Sequence, residues 1–170
     1  IVVHELEDTK EIKEGQTVKA EINWERRKQL MKHHTATHVV NGAAKKVLGN
    51  HVWQAGAHKS MQISRLDITH YESPSAEQLK EIQRLSNKII EENRPIEKYF
   101  MDRNKAEKTH GFRIYQGGAV PGKNIRIVDI KDWDVEACGG THFDCTGELG
   151  GIKIIRAKRI QDGVIRLEFK

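Results

Sequence analysis

The segment from Trp24 to Asn50 reads WERRKQLMKHHTATHVVNGAAKKVLGN, and it limits how the rest of the chain can be arranged. His34 and His38 are four residues apart, a spacing that puts both side chains on one side of a helix. Gly49-Asn50 supplies residues that commonly end a helix. The pattern predicts a helix over about residues 24–48, with histidines where a core helix normally has leucines.

The remaining elements alternate between strand and helix patterns. Ser75 and Gln78 have the spacing of a capping box, which predicts a second helix ending before Pro95 with an apolar stripe. The predicted strands are residues 51–57, 61–70, 96–101, 125–130, 134–137, 152–160 and 164–169, with a short helix at about 104–109. We therefore expect an α+β fold, in which one mixed or antiparallel sheet packs with the long helix and the second, amphipathic helix.

Residues 1–24 have a different character from the rest of the chain. Val18, Ala20 and Ile22 alternate after a glycine, a pattern that predicts a strand with one buried face. Because an isolated hairpin is only marginally stable, this segment is expected to belong to a small β subdomain. The chain opens with Ile1 rather than methionine, which suggests a piece of a larger protein.

Length and composition fit one ordinary domain with a small appendage. The 170 residues are 37% hydrophobic and 31% charged, and no apolar run approaches the ~20 residues of a membrane helix. Two cysteines cannot form a disulfide scaffold, so a reducing, cytoplasmic setting is expected.

The net charge of +5 is unevenly distributed. Residues 25–70 contain eight lysines and arginines against two acidic residues, whereas residues 1–24 contain three against six. The basic segment indicates either a polyanionic partner or an ordinary solvated helix face.

Two short motifs could together bind a metal ion. His34-Thr35-Ala36-Thr37-His38 presents two imidazoles one helical turn apart, and Cys138-Gly139-Gly140-Thr141-His142 presents a thiol and an imidazole across a glycine turn. Three imidazoles and a thiolate suit tetrahedral Zn²⁺. The alternative is a buried histidine pair and a structural cysteine without a metal.

Other residues limit which side chains can bind the metal and which reactions the site can catalyse. His33 points away from His34, so it is expected on the helix surface, and Cys145 is expected to be a spare thiol. The helix lacks the glutamate of His-Glu-x-x-His metalloproteases, which argues against peptide hydrolysis by that route. Four protein ligands are typical of a structural zinc site, whereas a catalytic zinc keeps one position open.

Small polar groups are expected around this cluster, although each has an alternative role. Thr37 could simply bond to its own helix, Gln54 could be an exposed strand residue, and Asp67 could face either the pocket or solvent. Thr35 and Thr141 complete the set. The glycine-containing run 115–122 has no phosphate-binding pattern and is interpreted as a flexible loop.

Several motifs together resemble the editing domain of alanyl-tRNA synthetases. They are Arg26-Arg27, His33 to His38, Val47 to Gly56, Arg65 to His70 and Cys138 to His142. Thr146 to Gly150 and Arg159 to Val164 are similar to the archaeal type of that enzyme. The resemblance extends from about residue 24 to residue 170. Freestanding AlaX-type deacylases share the zinc motifs, and the threonyl-tRNA synthetase editing domain is a more distant relative with the same expected fold.

The resemblance implies hydrolysis of tRNA(Ala) mischarged with serine or glycine. It implies zinc held by His34, His38, Cys138 and His142. Thr37 and Gln54 would contribute to the editing pocket together with Thr35, and Gly139 and Gly140 would shape it. Residues 1–24 would be the last strands of a truncated β-barrel and residues 25–170 the zinc-dependent editing domain, with the aminoacylation domain of the parent ligase absent.

The basic segment would then bind the acceptor end of the tRNA. The candidate phosphate contacts are Arg26, Arg27, Lys45 and Lys46. No general base is evident, and Asp67, His33 and His70 are the residues to test for that role. Three alternatives remain open: a freestanding AlaX-type enzyme, a zinc module that only binds RNA, and a zinc hydrolase of peptides or small esters.

Overall fold

The computed structural model describes residues 5–7, 13–118 and 120–170. In chain order its helices and strands are α1 (Trp24–Leu48), β1 (Gln54–Lys59), β2 (Ser64–Thr69), α2 (Ala76–Glu91), β3 (Ile96–Asp102), α3 (Arg103–His110), β4 (Asn124–Ile130), β5 (Asp134–Ala137), β6 (Ile154–Gln161) and β7 (Val164–Phe169). This α+β content confirms the predicted class. No helix among the described residues has the length and apolar character needed to cross a membrane.

The strands form two antiparallel sheets rather than the single sheet expected from the sequence. One sheet has the order β1-β2-β7-β6 and the other the order β3-β4-β5. All pairings are antiparallel. Alternating apolar residues identify a strand but not its partner, so the division into two sheets could not be read from the sequence.

The long helix α1 forms the centre of the main core. Asn23 caps it by accepting a hydrogen bond from the Arg26 amide, and Gly49 ends it with a positive φ of 117°. Residues 35–44 are all buried, because α2 and the four-stranded sheet pack around the helix. Trp133 lies so close to Gly42 that a Cβ there would be 2.5 Å from its Nε1 atom. The middle of α1, where His38 lies, is therefore inside the protein.

The second helix, α2, forms as the sequence predicts. Ser75 and Gln78 make both bonds of a capping box. Ile82, Ile89 and Ile90 are buried against the main core. A smaller apolar cluster lies between α3 and the three-stranded sheet and consists of Ala106, Ile114, Ile125, Ile127 and Ala137.

The strand predicted around Val18, Ala20 and Ile22 is not present. Residues 15–23 have no regular secondary structure and are exposed, including 64% of Val18 and 55% of Ile22. A strand needs a hydrogen-bonded neighbour, and no described segment pairs with this one. Most of residues 1–12 lie outside the described residues, so the assignment of residues 1–24 to a β-barrel stays a prediction.

Candidate metal centre

Four side chains from two distant segments meet at one point. They are His34, His38, Cys138 and His142, and one donor atom of each lies within 4.8 Å of the other three. The Cys138 Sγ atom lies 3.4 Å from Nε2 of His34 and 3.3 Å from Nε2 of His142. The structure thus brings together all four donors that the two sequence motifs offered.

These distances fit zinc. Zn–S bonds of about 2.3 Å and Zn–N bonds of about 2.0–2.1 Å in a tetrahedron separate sulfur from nitrogen by about 3.6 Å. Three imidazoles and one thiolate are also donors that zinc prefers. The centre is buried except at His34, which is half-buried and marks its more open side.

The glycine turn is shaped to fit the His34 ring. A Cβ at Gly140 would lie 1.9 Å from Cε1 of His34, whereas nothing lies within 4 Å of a Cβ at Gly139. The Arg126 guanidinium donates to the carbonyls of Cys138 at 2.8 Å and Gly140 at 2.7 Å. Close packing therefore requires glycine at 140 but not at 139.

Thr35 supports one of the histidines. Its Oγ1 atom lies 3.2 Å from Nδ1 of His142 and accepts a hydrogen bond from the Phe143 amide. Because Nδ1 of His142 is engaged there, Nε2 is the nitrogen directed at Cys138. Thr35 thus contacts a predicted ligand.

A buried polar network lies behind His38. Its Nδ1 atom lies 3.1 Å from Oδ2 of Asp134, and the Lys45 ammonium donates to the other Asp134 oxygen at 2.8 Å. Asn41 donates to Asp134 at 3.1 Å and to Glu136 at 2.6 Å. Although His38, Asp134 and Glu136 are close enough to hold a second cation, the lysine and the amide already occupy the carboxylates.

Two of the four donors, Cys138 and His142, have the charge state that metal binding requires at neutral pH. Burial opposes ionisation of the Cys138 thiol, but the hydrogen bonds with His142 and His34 and the charge of His38 lower its pKa to about 2. Burial lowers the pKa of His142 to about 4, with help from the charges of His38 and His34. The thiol is thus ionised and His142 is neutral at neutral pH, as metal ligation requires.

The neighbouring acidic residues differ in charge state. Burial and the charge of Asp134 raise the pKa of Glu136, whereas Lys45 and His38 overcome burial to lower the pKa of Asp134. Burial would lower the pKa of His38, yet Glu136 and Asp134 raise it to about 10. A cation at the centre would therefore compete with a proton for this histidine.

Two polar residues implied for the pocket are buried, with different hydrogen bonding. The Thr37 hydroxyl donates to the His33 carbonyl at 2.8 Å, which is the helix back-bonding considered from the sequence. Gln54 is 4% exposed, so it is not an exposed strand residue, and its Oε1 atom has no hydrogen-bond partner. Both residues retain acceptor capacity that a ligand could use.

Four described residues of the run 115–122 contact other parts of the protein. Arg103 donates to the carbonyls of Val120 and Gly122. Gln116 donates to Glu136, and its amide nitrogen lies 3.5 Å from Nε2 of His38. A Cβ at Gly117 would lie 2.5 Å from the Ala55 carbonyl oxygen. Gln116 therefore reaches the metal centre, and Gly117 packs against the backbone of Ala55, the residue after Gln54.

None of the three suggested bases is directed at the centre. His33 is 3% exposed, contrary to its expected place on the surface, because its Nδ1 atom is 2.6 Å from the Ser60 carbonyl in the β1–β2 turn. Asp67 accepts both hydrogen bonds of Arg166, at 2.7 and 2.9 Å. His70 pairs with Nε2 of His51 through its own Nδ1, at 2.8 Å.

The candidate RNA contacts lie at the two ends of α1. Arg26 and Lys46 are exposed and Arg27 is half-buried. Lys45 lies nineteen positions after Arg26, which corresponds to about 28 Å along a helix at about 1.5 Å per residue. The Lys45 side chain is 17% exposed and its ammonium is paired with Asp134, so RNA binding by Lys45 would have to break this ion pair.

Sequence reasoning did not identify the residues around the ligands. Asp134 and Glu136 were predicted to lie on a strand, and their two-residue spacing indicates a shared face, but not that the face is buried. Asn41 falls on the same side of the helix as His34 and His38, which was a usable signal. Nothing in the sequence singles out Arg126.

The amino-acid sequence matches a known family. Residues 125–168 match the threonyl and alanyl tRNA synthetase second additional domain. The chain is 54% identical over 169 residues to the alanine–tRNA ligase of Methanococcus maripaludis strain C6, and 53% identical over 169 residues to that of Pyrococcus furiosus. The chain belongs to the editing-type domains of alanyl-tRNA synthetases.

This editing-type domain corresponds to a small part of those enzymes. The two alignments cover 99% of the chain but only 19% and 18% of the ligases. A third relative, from Methanopyrus kandleri, is 56% identical over 156 residues, which are 92% of the chain and 17% of the ligase. The chain thus spans about a fifth of the length of these relatives. The matched domain segment includes Cys138 and His142, whereas His34 and His38 precede it.

Proposed function

We propose that the chain hydrolyses the ester bond that joins serine or glycine to tRNA(Ala), as the editing domain of an alanine–tRNA ligase. The observation that carries this proposal is the meeting of His34, His38, Cys138 and His142 in a chain related to such ligases over almost its entire length. In the parent protein its partners would be the remaining ligase domains and the tRNA acceptor end, and its setting the cytoplasm.

The reaction answers a problem of selectivity. Serine and glycine are close to alanine in size, and a binding pocket discriminates poorly between such small side chains. A second, hydrolytic site solves this problem if it accepts serine and rejects alanine. Rejecting alanine requires polar groups that lose a hydrogen bond when the substrate has no hydroxyl.

Thr37 and Gln54 can supply that selection. The Thr37 proton is used in the bond to the His33 carbonyl, so its oxygen remains an acceptor, and Oε1 of Gln54 is a buried acceptor without a partner. A serine hydroxyl could donate to either oxygen. Alanine would leave the pair unsatisfied. These two acceptors therefore select for serine, and they do not account for hydrolysis of glycine, which also lacks a hydroxyl.

Zinc fits the four donors, and when bound it would supply Lewis-acid polarisation of a substrate oxygen or amine that displaces one ligand or adds a fifth. The chain's own residues hold the ligands: Thr35 orients His142, and Gly140 gives His34 its place. Since an aminoacyl ester is already activated, correct positioning contributes more than a strong nucleophile.

No protein base is needed in this proposal. The oxygen of a water adds to the ester carbonyl carbon, the bond from that carbon to the ribose oxygen breaks, and the water proton reaches the departing ribose oxygen through the neighbouring ribose hydroxyl. The positions of His33, Asp67 and His70 support this scheme, because each is engaged elsewhere.

RNA binding would use the exposed cations of α1. Arg26, Arg27 and Lys46 are proposed to contact phosphates by charge and shape rather than by reading bases. Lys45 can join them only if its ion pair with Asp134 opens.

The test is single-turnover hydrolysis of Ser-tRNA(Ala) by the 170-residue chain. Cys138→Ser should slow hydrolysis by at least about 100-fold. Mutation of a residue that only supports a metal ligand typically lowers activity about 10- to 100-fold, and loss of a ligand itself should have a larger effect. Cys145→Ser is the matched control, since Cys145 lies outside the four-donor group, and it should leave the rate unchanged.

Other outcomes separate the alternatives. If the wild-type chain binds tRNA and zinc but releases no serine, it is a structural RNA-binding module. If it hydrolyses serine from tRNA(Ala) only when joined to the rest of the ligase, a freestanding AlaX-type role is excluded. Equal rates for Cys138→Ser and the wild type would contradict a role for the metal centre.

A further inference from the structure

His38 has different partners at its two ring nitrogens. Its Nδ1 atom lies 3.1 Å from Oδ2 of Asp134, which leaves Nε2 as the nitrogen available to the centre. The His38 side chain is 1% exposed and the Asp134 side chain is fully buried, so water does not substitute for either partner.

The two buried acidic residues make different contacts. Asp134 uses Oδ2 for His38 and Oδ1 for Lys45 and Asn41. Glu136 uses Oε1 for Asn41 and Oε2 for Gln116, and its nearest oxygen lies 3.5 Å from Nδ1 of His38. Of these two residues, only Asp134 has an oxygen within 3.2 Å of the imidazole.

We propose that Asp134 is a positioning residue that fixes His38 in the one tautomer able to bind zinc. A carboxylate oxygen at Nδ1 requires a proton on Nδ1, which places the lone pair of the neutral ring on Nε2. The Lys45 and Asn41 hydrogen bonds hold the carboxylate in that orientation. The inference rests on the zinc centre of the proposed function but not on hydrolysis.

Asp134→Asn tests this geometry because its amide cannot satisfy all the neighbours. Lys45 and Asn41 both donate to one side of residue 134, so the asparagine oxygen must face them. Its NH₂ group then faces Nδ1 of His38 and requires a lone pair there. That arrangement moves the ring proton to Nε2 and blocks ligation.

Zinc affinity of the 170-residue chain, measured by competition with a chelator, is the first readout. Asp134→Asn should bind zinc about 10- to 100-fold more weakly than the wild type, the usual loss when such a histidine partner is removed. Glu136→Gln is the matched control because it makes the same carboxyl-to-amide change on the same strand, and its loss should be clearly smaller.

The tautomer of His38 is the second readout, and it needs no variant. In the zinc-loaded wild type, ¹⁵N NMR should show a protonated Nδ1 and a metal-bound Nε2, even if Asp134→Asn does not fold. Ligation through Nδ1, equal affinity of Asp134→Asn and the wild type, or an equal loss in Glu136→Gln would overturn the inference. If the wild type binds no zinc, the metal centre fails as well.

Discussion

The His34 ring lies against Gly140, and there is no room for a side chain between them. A Cβ at Gly140 would lie 1.9 Å from Cε1 and 2.4 Å from Nδ1 of His34. This packing joins the glycine turn to α1 and makes one backbone position a requirement for the arrangement of all four donors.

Gly140→Ala should therefore weaken the centre. The methyl group must displace the His34 ring or the turn, and overpacking of this kind costs about 1–3 kcal/mol. We expect a lower free energy of unfolding and weaker zinc binding, measured by denaturant unfolding and chelator competition. Gly139→Ala is the control, because a Cβ there contacts nothing within 4 Å. Equal effects of the two substitutions would contradict the packing account.

Acid should destabilise the chain when zinc is removed by a chelator. Burial lowers the pKa of His142 to about 4, below its ordinary 6.5. Between these values the unfolded state binds a proton that the folded state does not, so the contribution of His142 to stability is full above pH 6.5 and is lost as the pH drops towards 4.

The check is denaturant unfolding from pH 7 to pH 4 in the chelator. His142→Gln should show a smaller loss over this range. Some loss remains, because the lowered pKa of Cys138 acts in the same direction. A variant with the same pH dependence as the wild type would rule out the assignment to His142.

Asp67→Asn should affect stability and not chemistry. The Asp67 carboxylate accepts two hydrogen bonds from Arg166 across β2 and β7, and both side chains are mostly buried. Removing the charge should cost about 1–2 kcal/mol. Single-turnover hydrolysis of Ser-tRNA(Ala) by the folded variant should stay within a few-fold of the wild type, whereas a loss of several orders of magnitude would identify Asp67 as a base.

Substitution of the exposed cations of α1 should weaken tRNA binding. Arg26→Gln and Lys46→Gln should each raise the Kd, leave the hydrolysis rate of bound tRNA unchanged, and reduce the slope of log Kd against log salt by about one. Arg84→Gln on α2 is the matched control, because Arg84 is an exposed arginine paired with Glu81. A similar effect of all three would indicate a nonspecific response to charge.

Features set by local sequence were predicted well. The bounds of α1 and the capping box of α2 follow from nearby residues, and the structure confirms both. The four metal donors could be proposed because His-x-x-x-His on a helix and Cys-x-x-x-His in a turn each direct two side chains to one side. The spacing within each motif suggests that the two motifs form one site, but it does not show that they meet in the fold.

Features set by distant packing could not be predicted in the same way. The helical period directs His33 away from His34, but the β1–β2 turn that buries it lies 27 residues along the chain. In the sequence, Asp134 and Glu136 have the character of solvent-facing strand residues. In the fold, Lys45 and Asn41 lie beside them and donate hydrogen bonds to their carboxyl groups. Similarly, alternation at Val18 and Ile22 indicates a strand only where a neighbour exists to pair with it.

The two motifs of the centre are about a hundred residues apart in sequence, and this separation has a thermodynamic consequence. A cation bound by all four side chains would act as a reversible cross-link that closes this long segment of chain, restricting the unfolded ensemble as a disulfide does. Metal occupancy and folding would then be linked equilibria. Loss of zinc would therefore remove the proposed Lewis acid and would also loosen the attachment of the last third of the chain to α1.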